Sequence, residues 1–356
     1  MVHSAIKEVK PPKADGKYVT SAFIDLTKDY IIKELLVVKQ EHEKAFGDMV
    51  ITLDKSVDGY WRNDVFKSYK NNRKLLKSKS EVNFTEVFEQ IDDLISQLKL
   101  NFPWKVVEVP RAEADDIILV LAKEFSPHEK ILIYSPDKDM IQAQRGTDNV
   151  FQYSGMTKKW IVPENKHEGM EQWIQEHVVL GDVSDNVPKV VDGTEFSDNF
   201  KEHLITNGFI DVETPMDFKT AECSEVDKVK VLTSFNTYKT NRKGESTGVL
   251  DIYKDMRFGP AALKKQIAEF GTLEKWLDSH PLYKKHYDRN FTLVMEEGIP
   301  VNIWNEIILS YKTAPSEYND VALAEYLKAN NLNKILAELP SYIKINRSLT
   351  LDDLSW

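Results

Sequence analysis

Val106-Val107-Glu108-Val109-Pro110-Arg111-Ala112-Glu113-Ala114-Asp115-Asp116-Ile117-Ile118 decides the fold. Four strand-forming residues stop at a proline, a burst of acids follows, and Ile117, Ile118, Leu121, Ala122 and Phe125 continue at helical spacing. Acids in a first helical turn are favoured by the helix dipole, which is a sufficient reason for any one of them. Three in four positions exceed what capping needs. On a helix Glu113 and Asp116 share a face while Asp115 points about 100° away from Asp116, so the burst offers oxygens in two directions. One strand later the pattern recurs: Ile131-Leu132-Ile133-Tyr134, then Ser135-Pro136-Asp137-Lys138-Asp139.

Working outward, Ala22-Phe23-Ile24 runs into Asp25 and Met49-Val50-Ile51-Thr52-Leu53 into Asp54. Between them Ile31, Ile32, Leu35, Leu36 and Val38 have helical spacing, so the segment reads as strand, helix, strand with an Asp closing each strand. Ligand sites of parallel sheets lie just outside the strands' carboxyl ends, and the aspartates are expected to share such a crevice. Short strands are expected at Val150 to Tyr153 and Trp160 to Val162. An amphipathic stretch with Trp173, Ile174, His177 and Val178 leads into Gly181-Asp182-Val183-Ser184-Asp185-Asn186. Taken alone, Asp182 and Asp185 are turn and capping residues. With them the carboxylates number nine: Asp25, Asp54, Glu113, Asp115, Asp116, Asp137, Asp139, Asp182 and Asp185. An oxygen-rich, histidine-free set suits the hard cations Mg²⁺ or Mn²⁺. Two such ions about 4 Å apart polarise a phosphodiester, generate hydroxide and stabilise the leaving oxygen.

The remaining composition narrows the class. The chain has 356 residues, 42% hydrophobic and 29% charged, which suits a soluble protein with a main domain of about 200 residues and a second lobe. No apolar run approaches the roughly 20 residues that span a bilayer, and a cytoplasmic location is expected. Cys223 is the single cysteine, which excludes an internal disulfide and a cysteine-based zinc site. The net charge of −10 speaks mildly against nucleic acid as a partner, but its distribution does not. Arg62, Lys67, Lys70, Arg73, Lys74, Lys77 and Lys79 stand against Asp64 alone, among Tyr60, Trp61, Phe66 and Tyr69. That interleaving suits a strand whose phosphates are neutralised and whose bases are stacked upon; a solvated charged helix is the plain alternative. A glycine-rich phosphate loop of the P-loop type, His-Glu-x-x-His and Gly-x-Ser-x-Gly are all missing.

Together these residues resemble the FEN-like 5′-nuclease superfamily, and within it the phage ribonuclease H branch of the T-even type. The resemblance rests on Phe23-Ile24-Asp25, Asp54 followed by Gly59-Tyr60-Trp61-Arg62, Tyr69-Lys70-Asn71-Asn72-Arg73, Glu113-Ala114-Asp115-Asp116, Asp137-Lys138-Asp139 and Gly181-Asp182-Val183-Ser184-Asp185-Asn186. It covers about residues 22–188 and resumes weakly near 290–312. It implies an α/β nuclease core of the PIN/FEN type, a mixed and mainly parallel central sheet flanked by helices, with a helical duplex-binding lobe. It implies a 5′-3′ exonuclease and flap endonuclease with RNase H activity, dependent on two Mg²⁺ with Mn²⁺ as substitute. Such an enzyme removes RNA primers and adjacent DNA during lagging-strand replication, in a host cytoplasm if phage-encoded. Asp25, Asp54, Glu113, Asp115 and Asp137 would serve the first ion, and Asp116, Asp139, Asp182 and Asp185 the second. Lys70 and Arg73 would lie near the scissile phosphate, in catalytic roles with Asp115 and Asp137. Arg62 and Lys74 would support the strand and Tyr69 stack on the terminal base.

The resemblance also divides the chain: a mobile basic arm over 1–17, the nuclease core over 18–188 with a bridge over 60–80, a helical DNA-binding lobe over 189–340, and a tail over 341–356. A polar insertion at about 194–256 interrupts the hairpin that Lys189 begins, which weighs against the potassium ion the family holds there. Phe258-Gly259-Pro260 is a point of resumption, where Gly259 and Lys264 would meet duplex phosphate. The helices after residue 270 are expected to support that lobe. Leu349-Thr350-Leu351-Asp352-Asp353-Leu354-Ser355-Trp356 is similar to clamp-binding peptides, and packing on its own domain is the alternative. The expected partners are RNA–DNA hybrid, 5′-flap and nicked duplex DNA, a sliding clamp and a single-stranded-DNA-binding protein, with the chain a monomer away from membranes. Two other classes are weighed. A catalytically silent binder of branched DNA would have lost metal carboxylates, and none is missing. A haloacid-dehalogenase-type phosphatase needs an Asp two residues beyond Asp25, where Thr27 stands.

Overall fold

The computed structural model describes residues 13–14, 17–18, 20–70, 84–163, 168–191, 258–315 and 319–342. The chain forms two compact units, Met1–Met170 with Met295–Trp356, and Glu171–Val294.

In the first unit β1 (Lys13–Ala14) pairs antiparallel with β2 (Lys17–Tyr18), so the basic arm carries a short ladder. The helix α1 (Thr20–Phe46) follows and includes the segment expected as a strand before Asp25. The reason is periodic: Ile24, Thr27, Lys28, Ile31, Ile32, Leu35 and Leu36 are all buried at three-and-four spacing, one stripe that extends back through Ile24. Three apolar residues alone cannot distinguish strand from helix.

Next, β3 (Val50–Leu53) pairs in parallel with β4 (Lys105–Glu108), Val50 opposite Lys105. Between them lie the short α2 (Arg62–Val65) and the amphipathic α3 (Phe84–Asn101). After β4 comes α4 (Ala114–Phe125), then β5 (Ile131–Tyr134), a 3-10 segment Lys138–Gln144, β6 (Val150–Ser154) and β7 (Lys159–Ile161). β5 and β6 are parallel, and β6 and β7 antiparallel. The mixed, mainly parallel sheet is thus divided into a pair and a triplet, which pack into one core. Val107, Ile117, Val120, Ile133, Met140 and Val150 belong to the same buried cluster.

The second unit takes in most of α5 (Glu168–Leu180), then α6 (Pro260–Phe270), α7 (Leu273–Asp278) and α8 (Pro281–Val294). Val179, Val190, Val191, Leu263, Leu273, Trp276 and Leu277 form its core, with Phe258 stacked on Trp276 at 5.8 Å. Gly259 caps α6 and Pro260 opens it, as the sequence suggests.

The remaining helices correct an expectation. α9 (Val301–Thr313), α10 (Asp320–Ala329) and α11 (Asn333–Tyr342) belong to the first unit, not to the lobe. Ile299, Ile303 and Ile307 complete the core around β4 and α4, while Leu323, Leu327, Ile335, Leu336 and Leu339 cover α1 and α3. An amphipathic helix shows that it has an apolar face but not which partner the face meets. The second compact unit is Glu171–Val294, where the sequence led to the expectation of a lobe over 189–340. The insertion expected at 194–256, the tail segment 349–356, Arg73 and Lys74 lie outside the described residues.

Candidate metal centre

Asp54 follows β3 directly, Glu113 caps α4 after β4, and Asp137 caps the 3-10 segment after β5. The three loops meet at the amino end of α4. Asp54 Oδ1 accepts from the Ala114 amide at 2.8 Å, using one of the donors that a helix leaves unpaired in its first turn. The approach is fixed by backbone bonds, Lys55 N to Ala112 O at 3.1 Å and Arg111 N to Lys55 O at 2.7 Å.

Asp115, one residue further along α4, is where charge collects. Its carboxyl is pushed up to about 7 by burial first, then by Asp137, with Glu113 and Asp54 adding to the rise and Lys70 opposing it. Three carboxylates thus act on Asp115, and Lys70 is a cation that opposes them. A donor set made wholly of oxygens, with one of its acids driven toward protonation, fits a hard divalent cation.

The other two acids of the burst behave differently. Asp116 is fully buried: Oδ1 pairs with Arg62 Nη2 at 2.7 Å, and Oδ2 accepts from Trp61 Nε1 at 3.0 Å and from the Glu113 amide at 2.9 Å. The bond from the Glu113 amide is the back-bond of a helix-capping box, and both oxygens of Asp116, expected on an ion, are engaged within the protein. Glu113, 3% exposed, takes Arg62 Nη1 and the Tyr69 hydroxyl on Oε2, each at 2.9 Å, and Lys70 on Oε1. Burial alone would lower the Arg62 pKa, but Asp116, Tyr69 and Glu113 raise it above its ordinary value. Tyr60, under burial and the charges of Asp54 and Glu113, is pushed up to about 12. Arg62 and Tyr69 are therefore core residues here, 4% and 5% exposed, and neither offers a surface to a base or phosphate. Asn63 closes this loop, accepting from the Tyr60 amide at 2.9 Å and donating to Tyr69 O at 3.2 Å.

Residues 18–176 match the family model of the 5′-3′ exonuclease N-terminal, resolvase-like domain. This segment belongs to the FEN-like 5′-nuclease superfamily. The chain is 35% identical to ribonuclease H of Enterobacteria phage T4 over 160 residues, 45% of this chain and 52% of the relative. It is 29% identical to a 5′-3′ exonuclease of Buchnera aphidicola over 170 residues, 46% of this chain and 50% of the relative. The chain thus spans about half the length of these relatives. In fold it resembles phage T5 5′-exonuclease, whose structure contains zinc, at a TM-score of 0.50 and 14% identity, over 82% of this chain and 91% of that one.

The residues expected to form the site divide. Asp54, Glu113 and Asp137 all act on the carboxyl of Asp115. Asp139 lies two residues on, its amide donating to Asp137 Oδ1 at 3.0 Å. Asp25 is on an exposed position of α1 and forms no hydrogen bond or ion pair with a described residue. Asp182 and Asp185 belong to the second unit. There Asp182 accepts from the Ser184 amide and hydroxyl, both at 2.6 Å. Burial opposes the charge of Asp182, but these bonds and His177 hold its carboxyl below the ordinary value. Gly181 makes this loop possible: at φ 64° a Cβ would lie 2.4 Å from Val187 O. Lys189 donates to Phe258 O at 2.6 Å, joining the hairpin to the point where the described chain resumes. Lys264 is exposed on α6.

Sequence reasoning missed the loop-holding roles of Trp61, Gln142 and Asn290. Trp61 and Gln142 are buried, as is Asn290, which donates to Val178 O at 3.0 Å and Pro188 O at 2.8 Å. Gln142 donates to Asp139 O at 2.9 Å and accepts from the Glu296 amide at 2.8 Å. A polar residue inside an apolar pattern was their one available signal.

Proposed function

We propose that the chain is a metal-dependent 5′-nuclease that hydrolyses phosphodiesters at the 5′ ends or flaps of duplex nucleic acid, RNA–DNA hybrids included, in primer removal during lagging-strand replication. The placing of Asp54 on the first turn of α4 and the action of Asp54, Glu113 and Asp137 on Asp115 carry this reading, together with the family match of residues 18–176. Mg²⁺ is the proposed ion and Mn²⁺ its substitute. Asp54, Asp115 and Asp137 would hold it directly and Glu113 through water, because Glu113 already accepts from Arg62, Tyr69 and Lys70. When bound, such an ion lowers the pKa of water and stabilises a leaving oxygen.

Asp116 has a different task in this reading: it fixes Arg62, and Arg62 with Tyr69 fixes Glu113. Lys70 is the group left to meet a phosphate once an ion replaces it as the neutralising charge. Its backbone lies in the left-handed region at φ 56°, unfavourable for a lysine by about 1–2 kcal/mol.

The test uses a labelled 5′-flap, a nicked duplex and an RNA–DNA hybrid, each with Mg²⁺ and with chelator. Cleavage from the 5′ side that chelator abolishes is the expected result. Tight binding of all three without cleavage would replace this reading with that of a silent branched-DNA binder. A calorimetric Mn²⁺ titration gives the number of ions, two being expected. Deleting 349–356 should remove stimulation by a sliding clamp and leave basal cleavage intact.

A further inference from the structure

Asp137 lies in the loop 135–137, between β5 and the 3-10 segment that it caps, and a side chain of β6 holds that loop as well. Gln152 is 1% exposed, at the centre of a strand whose positions 150, 152 and 154 face the core. Its Nε2 donates to two carbonyls of the loop, Ser135 O at 3.0 Å and Asp137 O at 2.6 Å. In the β5–β6 register Gln152 stands opposite Ile133, so its side chain reaches past the end of β5 to the turn that follows. The Oε1 of the same amide is buried with no hydrogen-bond partner among the described residues, so the two bonds from Nε2 alone offset the cost of burying it. An apolar residue would fill the same space, so packing does not explain the glutamine.

We propose that Gln152 is a positioning residue for the metal centre: by gripping the Ser135 and Asp137 carbonyls it sets where the Asp137 carboxylate points, and so sets the affinity for the divalent ion. The inference rests on the nuclease reading for its consequence in catalysis, but not for its consequence in ion binding. Groups that orient ligands from behind commonly change metal affinity or activity by about 10–100-fold when removed.

Gln152→Met keeps the volume and deletes both donors; Gln152→Glu keeps the shape and turns a carboxyl toward the two carbonyls. Gln144→Met is the control. Gln144 is 3% exposed and its amide donates to Ile161 O at 3.1 Å, away from the acidic loop. Each full-length variant is titrated with Mn²⁺ calorimetrically without DNA, and its kcat and KM are measured across Mg²⁺ concentrations. Expected are a roughly 10–100-fold weaker Mn²⁺ affinity and a matching rise in the half-saturating Mg²⁺ for both Gln152 variants. KM for the flap at saturating Mg²⁺ should be unchanged, and Gln144→Met should bind the ion as wild type does. Either folded Gln152 variant binding Mn²⁺ as wild type does overturns the inference while leaving the nuclease reading in place. A wild type that binds Mn²⁺ yet cleaves nothing sinks the nuclease reading instead, and the affinity comparison still decides the role of Gln152.

Discussion

Arg62 and Asp116 form a 2.7 Å ion pair in which the acid is fully buried and the base 4% exposed. The pair joins the start of α2 to the first turn of α4, and Arg62 reaches Glu113 with its other terminal nitrogen. Truncating one partner of such a pair leaves an uncompensated buried charge. Arg62→Met should therefore cost about 3–5 kcal/mol, and adding Asp116→Asn should recover a substantial part. Urea unfolding of the two variants checks this; equal loss in both would show that packing of the arginine, not its charge, matters.

Asp115 predicts a pH dependence with a defined sign. Its carboxyl ionises near 4 when unfolded and at about 7 in the metal-free fold, so the fold binds the proton more tightly. The associated stability is fully present below the unfolded value and is lost as pH rises through about 7. Metal-free protein should lose thermal stability across that window, Asp115→Asn should flatten the loss, and Mg²⁺ should reverse it. A metal-free melting temperature that rises from pH 5 to pH 7.5, with no flattening in the variant, would contradict the raised value.

Asp137→Asn should remove cleavage and leave duplex binding within about threefold, because it removes charge from the metal centre rather than from the phosphate grip. Single-turnover cleavage and anisotropy on the same flap separate the two effects. Retained turnover with Mg²⁺ would overturn the assignment.

Lys70→Ala has two expected consequences. Lys70 opposes the rise in the Asp115 pKa, so its removal should move the metal-free stability transition to higher pH. It should also slow single-turnover cleavage more than it weakens binding. A variant with unchanged rate and weaker binding would make Lys70 a simple phosphate contact.

Asn290 in the second unit donates to Val178 O and Pro188 O, and its removal leaves two carbonyls without their donor. Asn290→Ala should destabilise the protein by about 1–3 kcal/mol and raise hydrogen exchange most around 178–191. Exchange that rises evenly through the chain would place the effect elsewhere.

Most elements were readable before any coordinate. β4, β5 and β6, the helices α3 and α4, and the cap at Gly259 all follow from period and punctuation. The strand before Asp25 failed, because three apolar residues carry no period of their own and α1's stripe claimed them. The convergence of Asp54, Glu113, Asp115 and Asp137 was legible because each acid follows a strand or opens a helix. The fates of Glu113 and Asp116 were not, because a carboxylate for an ion and one for a buried arginine look alike in a sequence.

The sequence by itself determined the alternation of strands and helices, the acids at their ends and the superfamily of residues 18–176, since these rest on local period and on residue type. Only the tertiary structure decided that α9, α10 and α11 close the first unit. Only it showed that Arg62, Tyr69 and Lys70 turn inward onto Glu113, and that Gln152 grips the loop of Asp137. Each of these depends on which buried polar atom finds which partner across tens of residues, and burial is a property of the packed chain, not of any stretch of it.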